Sequence, residues 1–134
     1  MSVDRERATV FLENYRRTWE AWDVDGFVEL FSDDAVYVDH PTEKIAIGRE
    51  AVAAFLRNEE SEQGAASVRM GTPIIDGNHV AVEYWVTRTN GDEKATLTGC
   101  LLAQLDPTDG RCRRIHEYWF DIPGHPDPFA GWGT

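Results

Sequence analysis

Ionisable side chains lie on an aromatic run near the end of the chain, between Arg114 and Asp121. The run carries His116, Glu117 and Asp121 among tyrosine, tryptophan and phenylalanine residues. Aromatic side chains favour burial, whereas charged groups resist it unless they have partners. A strand that combines the two is typical of a sheet whose one face lines an enclosed, partly apolar pocket. Such a pocket could hold groups for general acid/base chemistry.

A second pair of ionisable residues lies far upstream, where Asp39 and His40 end a strand-like run before Pro41. In a strand, His40 shares a face with Val36 and Val38, and Asp39 lies on the other face. We expect the valine face to point inward, which would place His40 at the site with Asp39 beside it. The alternative is a structural histidine at a strand end.

The same alternation places Ile115, Glu117 and Trp119 on one face of the last strand. Its apolar members predict that this face is the inner one. A glutamate in an apolar cavity beside a tryptophan should have a raised pKa, as acid/base work near neutral pH requires. The alternative is a surface ion pair between Glu117 and a nearby arginine.

The charge balance disfavours polyanionic partners. The 134 residues include 24 acidic and 13 basic side chains, which gives a net charge of -11, and the basic residues form no long cluster. Such a surface repels phosphate backbones and anionic membranes, so we expect neither a nucleic acid nor a membrane as partner. The charged N-terminal residues 1–7 and the lack of a long apolar run predict a cytoplasmic protein.

Cysteine and histidine spacing argues against a metal site. Cys100 and Cys112 have no metal-ligand spacing, and we expect buried free thiols. Asp39 and His40 are neighbours, as are His116 and Glu117, so at most one residue of each pair can reach a common site. We therefore expect no metal and no other cofactor.

Helical periodicity and turn residues divide residues 1–134 into the elements of a single domain. Predicted helices run from Asp4 to Ala21, from Gly26 to Phe31 with Asp25 as cap, and over 49–57. The predicted connections are a loop over 42–48 and a polar connector over 58–66. Predicted strands cover 35–40, 67–75, 79–89, 94–105 and 111–121, with a hairpin at Asn90-Gly91, before a Gly/Pro-rich tail over 122–134. This order predicts an α+β fold with helices on one face of a curved antiparallel sheet.

Several segments resemble a known family when they are taken together and in order. They are Tyr15 to Trp22 with Asp25, Leu30 to Tyr37, Asp39-His40-Pro41, Gly48 to Ala51, Val80 to Trp85, and Ile115 to Trp119 with Asp121. The chain resembles the nuclear transport factor 2-like superfamily, in its SnoaL-like and ketosteroid-isomerase-like branch. The resemblance covers about Glu6 to Asp121.

The resemblance implies a cone-shaped domain with a deep apolar cavity, whose mouth is shaped by the first helix and the tail over 122–134. It also implies a homodimer through the convex face of the sheet. His40 takes the place of the aspartate base of ketosteroid isomerases, and Glu117 or Asp121 could match the carboxylate of polyketide cyclases. Leu101 and Leu102 stand where the isomerases have a protonated acid, which argues against the usual steroid isomerisation.

Two function classes follow. The first is a small cofactor-free enzyme that isomerises, cyclises, dehydrates or hydrates a hydrophobic, oxygenated small molecule, with His40 as base and Glu117 or Asp121 as acid. The second is a binding or accessory domain that uses the same cavity without chemistry. Opposite orientations of His40 and Glu117 would favour the second. The residues expected on the cavity wall or in the core beside it are Tyr15, Trp19, Tyr37, Val38, Phe55, Trp85 and Trp119.

Overall fold

A seven-stranded sheet curves around three helices in the computed structural model, which describes residues 3–134. The helices are α1 (Arg5–Ala21), α2 (Val24–Val28) and α3 (Arg49–Gln63). The strands are β1 (Phe31–Asp39), β2 (Lys44–Ile47), β3 (Ala65–Met70), β4 (Ile74–Asp76), β5 (His79–Asn90), β6 (Glu93–Leu105) and β7 (Cys112–Pro123). The predicted α+β class, with helices packed on one face of the sheet, is confirmed.

Helix α1 forms one wall of the interior. It begins at Arg5, and the carboxylate of the preceding Asp4 accepts the backbone N–H of Arg7, which caps the helix. Its inward face buries Phe11, Leu12 and Tyr15. The helix ends at Trp22, which adopts a left-handed conformation with φ of 51°.

The sheet has the strand order β2-β1-β7-β6-β5-β3, with β4 paired to β5. The hairpin at Asn90-Gly91 is confirmed, and β5, β6 and β7 form long antiparallel pairs. Strand β1 differs from the prediction of a wholly antiparallel sheet, because it runs parallel to β7. In this register Asp39 lies opposite Glu117, so the sheet itself brings two carboxylates together.

Three local predictions are wrong. Asp23 rather than Asp25 caps the second helix, which starts at Val24. The polar connector over 58–66 continues as α3 to Gln63, because its Glu and Gln residues favour helix although they give no apolar period. The predicted loop over 42–48 contains β2, a four-residue edge strand that pairs with β1.

The tail over 122–134 contacts β5 and β3. The ring Nε2 of His125 lies 2.9 Å from the carbonyl oxygen of Arg88, at the end of β5. Further along, Trp132 packs edge-to-face on Trp85 with ring centroids 6.0 Å apart, and the guanidinium of Arg69 lies over the Trp132 ring. The end of the tail is thereby held against the outer side of β5 and β3.

Candidate functional site

A pocket with a volume of about 150 Å³ lies between the inner face of the sheet and the helices. Apolar and aromatic side chains form most of its wall, which also includes several carboxylates. Its wall includes five of the residues expected there: Tyr15, Trp19, Tyr37, Phe55 and Trp119.

Glu117 is the most deeply buried acid of the pocket, with 2% of its surface exposed. It points inward because Ile115, its neighbour on the same face of β7, is packed in the core. Its Oε1 accepts a hydrogen bond from the hydroxyl of Tyr15, and its Oε2 accepts one from Tyr84 at 2.5 Å. Burial raises the pKa of Glu117 to about 7, although both tyrosine hydrogen bonds act in the opposite direction.

The tyrosines around Glu117 stay protonated at physiological pH. Burial raises the pKa of Tyr15, Tyr37 and Tyr84 well above the usual value, and the nearby charge of Glu117 raises it further. Their hydroxyls therefore remain hydrogen-bond donors. A proton that leaves this site must come from the carboxyl group, not from the phenols.

Asp39 is the second buried acid, with 3% of its surface exposed. The indole N–H of Trp119 donates to its Oδ1 at 2.8 Å, and the hydroxyl of Thr42 donates to its Oδ2 at 2.6 Å. These contacts fix the carboxylate beside Glu117, and its charge contributes to the raised pKa of Glu117. Two carboxyl groups in different environments provide the elements of an acid/base pair.

Comparison with known proteins agrees with this architecture. Residues 12–115 match the family model for the SnoaL-like domain, which is more than half of the chain. The chain belongs to the SnoaL-like family. No curated protein matches it by sequence.

Several solved structures have the same fold as this SnoaL-like chain at low sequence identity. An epoxide hydrolase/cyclase-like enzyme of pyran ring formation in the polyether salinomycin is 23% identical, with a TM-score of 0.72 and coverage of 87% of this chain and 93% of its own. An epoxide hydrolase of Mycobacterium tuberculosis is 21% identical, with a TM-score of 0.70 and coverage of 86% and 84%. A putative ketosteroid isomerase of Kribbella flavida is 22% identical, with a TM-score of 0.66 and coverage of 96% and 88%. The fold is nuclear transport factor 2-like, as in a protein of that description from Burkholderia xenovorans, which is 18% identical with a TM-score of 0.66 and coverage of 95% and 90%.

The outer face of this SnoaL-like sheet carries the imidazoles. His40 is exposed, and its Nε2 lies 2.8 Å from Nδ1 of His116. Its ring stacks on Tyr118 with centroids 4.1 Å apart. The prediction that Val36, Val38 and His40 face the pocket is therefore wrong, and His40 and Glu117 lie on opposite sides of the sheet.

The inner face of β1 is set by its larger side chains. Phe31 and Tyr37 are packed in the core, and Asp39 shares their face. The carboxylate is tolerated inside because Trp119 and Thr42 satisfy it. This partner set could not be recognised from β1 alone.

Three other expected site residues lie away from the acid pair. Val38 is half-buried on the outer face, and Trp85 packs there against Trp132, so neither lines the pocket. Asp121 lies on the pocket wall, where it forms an ion pair with Arg88 at 2.7 Å.

Sequence analysis missed Tyr84, the second hydroxyl donor to Glu117. The signal was present, because Val80, Val82, Tyr84 and Val86 occupy alternate positions and all are buried. An apolar row of this length places Tyr84 inside and its neighbour Trp85 outside.

Neither a metal centre nor a membrane span is found in the described part of the chain. No three or more His, Cys, Asp or Glu side chains of residues 3–134 are grouped so that they could hold a metal ion. None of the helices formed by these residues is long and apolar enough to cross a membrane.

Proposed function

We propose that this SnoaL-like chain is a cofactor-free acid/base enzyme acting on a hydrophobic, oxygenated small molecule. It would isomerise, cyclise, dehydrate or hydrate that molecule by moving protons between the substrate, Asp39 and Glu117. The observation that supports the proposal is the buried pair itself: Asp39 and Glu117 are register partners on adjacent strands, and both line the pocket. A pKa of about 7 makes both protonation states of Glu117 accessible near neutral pH.

The two acids take different roles in the proposed reaction. Asp39, oriented by the donors Trp119 and Thr42, removes a proton from a carbon or hydroxyl group of the substrate or, in hydration, from the water molecule that adds to the substrate. Protonated Glu117 gives its proton to the substrate oxygen that gains negative charge. The hydroxyls of Tyr15 and Tyr84 then stabilise the carboxylate that Glu117 becomes. One proton is taken and one is given, so the charge of the pair is unchanged, and transfer of a proton from Asp39 to Glu117 restores the starting state.

The structural neighbours support this class of reaction. They include enzymes described as an epoxide hydrolase/cyclase-like protein, an epoxide hydrolase and a putative ketosteroid isomerase. Ring opening, ring closure and isomerisation all need proton transfer to and from oxygen or carbon. The buried acids, rather than the shared fold, carry the proposal for this chain.

The test is a set of three probes, one each for hydrolysis, cyclisation and isomerisation. Styrene oxide tests hydrolysis, a hydroxy-epoxide that can close a pyran ring tests cyclisation, and a β,γ-unsaturated cyclic ketone tests isomerisation. We expect turnover of at least one probe, with a rate that falls as pH rises through about 7, because the proton donor Glu117 is then lost. A rate that rises through this range would assign the opposite role to Glu117. No turnover of any probe would contradict the enzyme proposal for these three reactions.

A non-catalytic binding domain is the second candidate. Two observations favour it: both oxygens of Glu117 are already hydrogen-bonded, and His40 faces away from the pocket. Glu117→Gln separates the candidates, because it removes the proton donor and the cost of burying a charge. Lost turnover with an unchanged or higher melting temperature supports the enzyme. A sharp fall in stability with function retained identifies Glu117 as a structural residue.

A further inference from the structure

The outer face of the sheet carries a pair of imidazoles that the proposed reaction does not use. Nε2 of His40 lies 2.8 Å from Nδ1 of His116. The side chain of His40 is exposed, and that of His116 is half-buried. Imidazole is the commonest metal ligand in proteins and suits transition-metal ions. Two ring nitrogens that meet at the surface therefore form a candidate metal site.

The spacing of the two nitrogens fits adjacent ligands of one ion. Metal–imidazole bonds are about 2.0–2.1 Å long, so two ligands at right angles around an ion have nitrogens about 2.8–3.0 Å apart. The distance from His40 to His116 lies in this range. Tetragonal Cu²⁺ and Ni²⁺ sites have such angles, whereas a tetrahedral Zn²⁺ site needs nitrogens about 3.3 Å apart. The distance favours Ni²⁺ or Cu²⁺.

The sheet holds the first of these imidazoles beside the second. The backbone N–H of His40 donates to the carbonyl oxygen of Glu117, the residue after His116, at 3.1 Å. The ring of His40 also stacks on Tyr118, with centroids 4.1 Å apart and an angle of 10° between the planes. Ligands that are already held in place lose less conformational entropy when they bind an ion, which raises the affinity.

A metal ion can replace the proton that the two rings share. In the neutral pair, one ring nitrogen donates its N–H to the other. When both nitrogens coordinate an ion, that proton moves to the second nitrogen of its own ring, so both imidazoles stay neutral and no proton is lost. Each ring turns until its lone pair points toward the ion, and water supplies the remaining ligands.

The charges around the pair permit a bound cation. Arg114 lies on the same face of β7 as His116, since Val36 and Val38 of β1 are their register partners. Its positive charge opposes the ion, but Arg114 is exposed, so water and salt screen it. The chain as a whole carries a net charge of -11, which attracts cations.

We infer that His40 and His116 together bind one divalent transition-metal ion, Ni²⁺ or Cu²⁺ rather than Zn²⁺, on the outer face of the sheet. Two protein ligands are fewer than those of a full metal centre, so the affinity is moderate. The ion joins the end of β1 to β7 through the neighbours of Asp39 and Glu117, and thereby stabilises the strand pairing that brings both acids together. This inference does not rest on the proposed function.

The test is isothermal titration of tag-free protein with Ni²⁺, which does not oxidise the free thiol of Cys100, in a buffer that does not coordinate metals. The wild type should bind one ion per chain. His40→Gln and His116→Gln should each weaken binding at least roughly tenfold, because the second ligand binds at high effective concentration. The double variant should bind as weakly as either single one. Ni²⁺ should raise the urea midpoint of the wild type and not that of the variants.

His79→Gln is the matched control, because His79 is also an exposed imidazole of the sheet, at the start of β5. It should leave the affinity for Ni²⁺ within about twofold. The titrations are repeated in Phe120→Asp, which places a charge on an exposed apolar part of the outer face and opposes coverage of the site by another molecule. The dependence on both histidines should be the same there.

The inference is wrong if neither the wild type nor Phe120→Asp binds Ni²⁺ more tightly than the corresponding His40→Gln protein. It is also wrong if His79→Gln weakens binding as much as the pair substitutions do. Two histidines that bind separately would contradict it as well, because each substitution would then lower the number of bound ions and leave the affinity of the remaining ion unchanged. None of these measurements involves turnover, so the inference and the proposed function fail separately.

Discussion

Two pairs of ionisable residues come from the ends of the same two strands, and one pair is buried in the pocket while the other lies on the outer face. Asp39 and Glu117 point inward, are 3% and 2% exposed, and are held by hydroxyl and indole donors. His40 and His116, their neighbours in sequence, point outward and share a hydrogen bond at the surface. The parallel pairing of β1 with β7 brings both pairs together, one on each face.

The difference shows that the environment decides which residues suit acid/base work. Imidazole normally titrates near neutral pH, and carboxyl groups titrate well below it. Here burial raises the pKa of Glu117 to about 7, while partial burial, with the charges of His40 and Arg114, lowers the pKa of His116. The pKa of the buried Glu117 carboxyl group therefore lies in the range where an imidazole normally titrates.

The largest expected effect is on turnover. Glu117→Gln and Asp39→Asn should each lower kcat by roughly 10²- to 10⁴-fold, the usual contribution of a positioned acid or base. His40→Gln and His116→Gln should leave kcat within about twofold, because both residues lie outside the pocket. Steady-state kinetics on the converted probe checks this. A histidine variant that loses activity while the carboxyl variants keep it would reverse the assignment of the two pairs.

The second prediction concerns stability against pH. In the pH range from 4.5 to about 7 the folded protein keeps a proton on Glu117 that the unfolded chain has lost. The contribution of Glu117 to the free energy of unfolding is therefore fully present below pH 4.5 and is lost as the pH rises through about 7. The total loss is about 3 kcal/mol. Urea unfolding at pH 5 and pH 8 measures the loss.

Glu117→Gln is the control for that measurement, because a neutral amide should reduce the pH dependence by a similar amount. An equal pH dependence in the wild type and the variant would show that Glu117 titrates near its ordinary value.

A smaller effect is expected from the donors that hold Asp39. Trp119→Phe removes the N–H that donates to Oδ1 and leaves the hydroxyl of Thr42 in place. We expect a loss of about 1 kcal/mol in the free energy of unfolding, together with a lower kcat. Trp132→Phe, which keeps the ring on the outer face, should cost less than about 0.5 kcal/mol. Equal losses in chemical denaturation would show that the hydrogen bond to Asp39 adds nothing.

The last prediction concerns the outer face, where we propose that a second copy of the chain packs. Exposed apolar side chains share this face: Ile45, Ile47, Leu102, Tyr118 and Phe120. In a monomer these apolar side chains would be exposed to water, whereas a symmetric dimer would bury them on both subunits. Light scattering should give twice the monomer mass for the wild type. The Phe120→Asp variant should give the mass of a monomer. Phe129→Asp, on the tail, is the matched control, and a monomer at all concentrations would contradict the proposal.

Strong local patterns predicted most of the fold. The long strands around Asn90-Gly91 alternate clearly, and α1 has an apolar stripe. Strand β2 was missed because four residues between turns are too short for a period to show. The parallel pairing of β1 with β7 joins segments that are distant in sequence, and no local propensity specifies it.

The site was predictable only where one face was clearly apolar. Ile115 and Trp119 correctly placed Glu117 inside. On β1, Val36 and Val38 compete with Phe31 and Tyr37, so hydrophobicity did not separate the faces. The contacts that make Asp39 tolerable inside come from other elements, and their geometry follows only from the folded chain.

The position of the tail has a practical consequence for spectroscopy. Of the five tryptophans, Trp19, Trp22 and Trp119 line the pocket, whereas Trp85 and Trp132 form an edge-to-face pair outside it. The chain thus contains two sets of intrinsic chromophores that report on different events. Quenching of indole emission by a bound molecule should arise from the first set, and a change in the near-ultraviolet circular dichroism of the coupled pair should follow detachment of the tail.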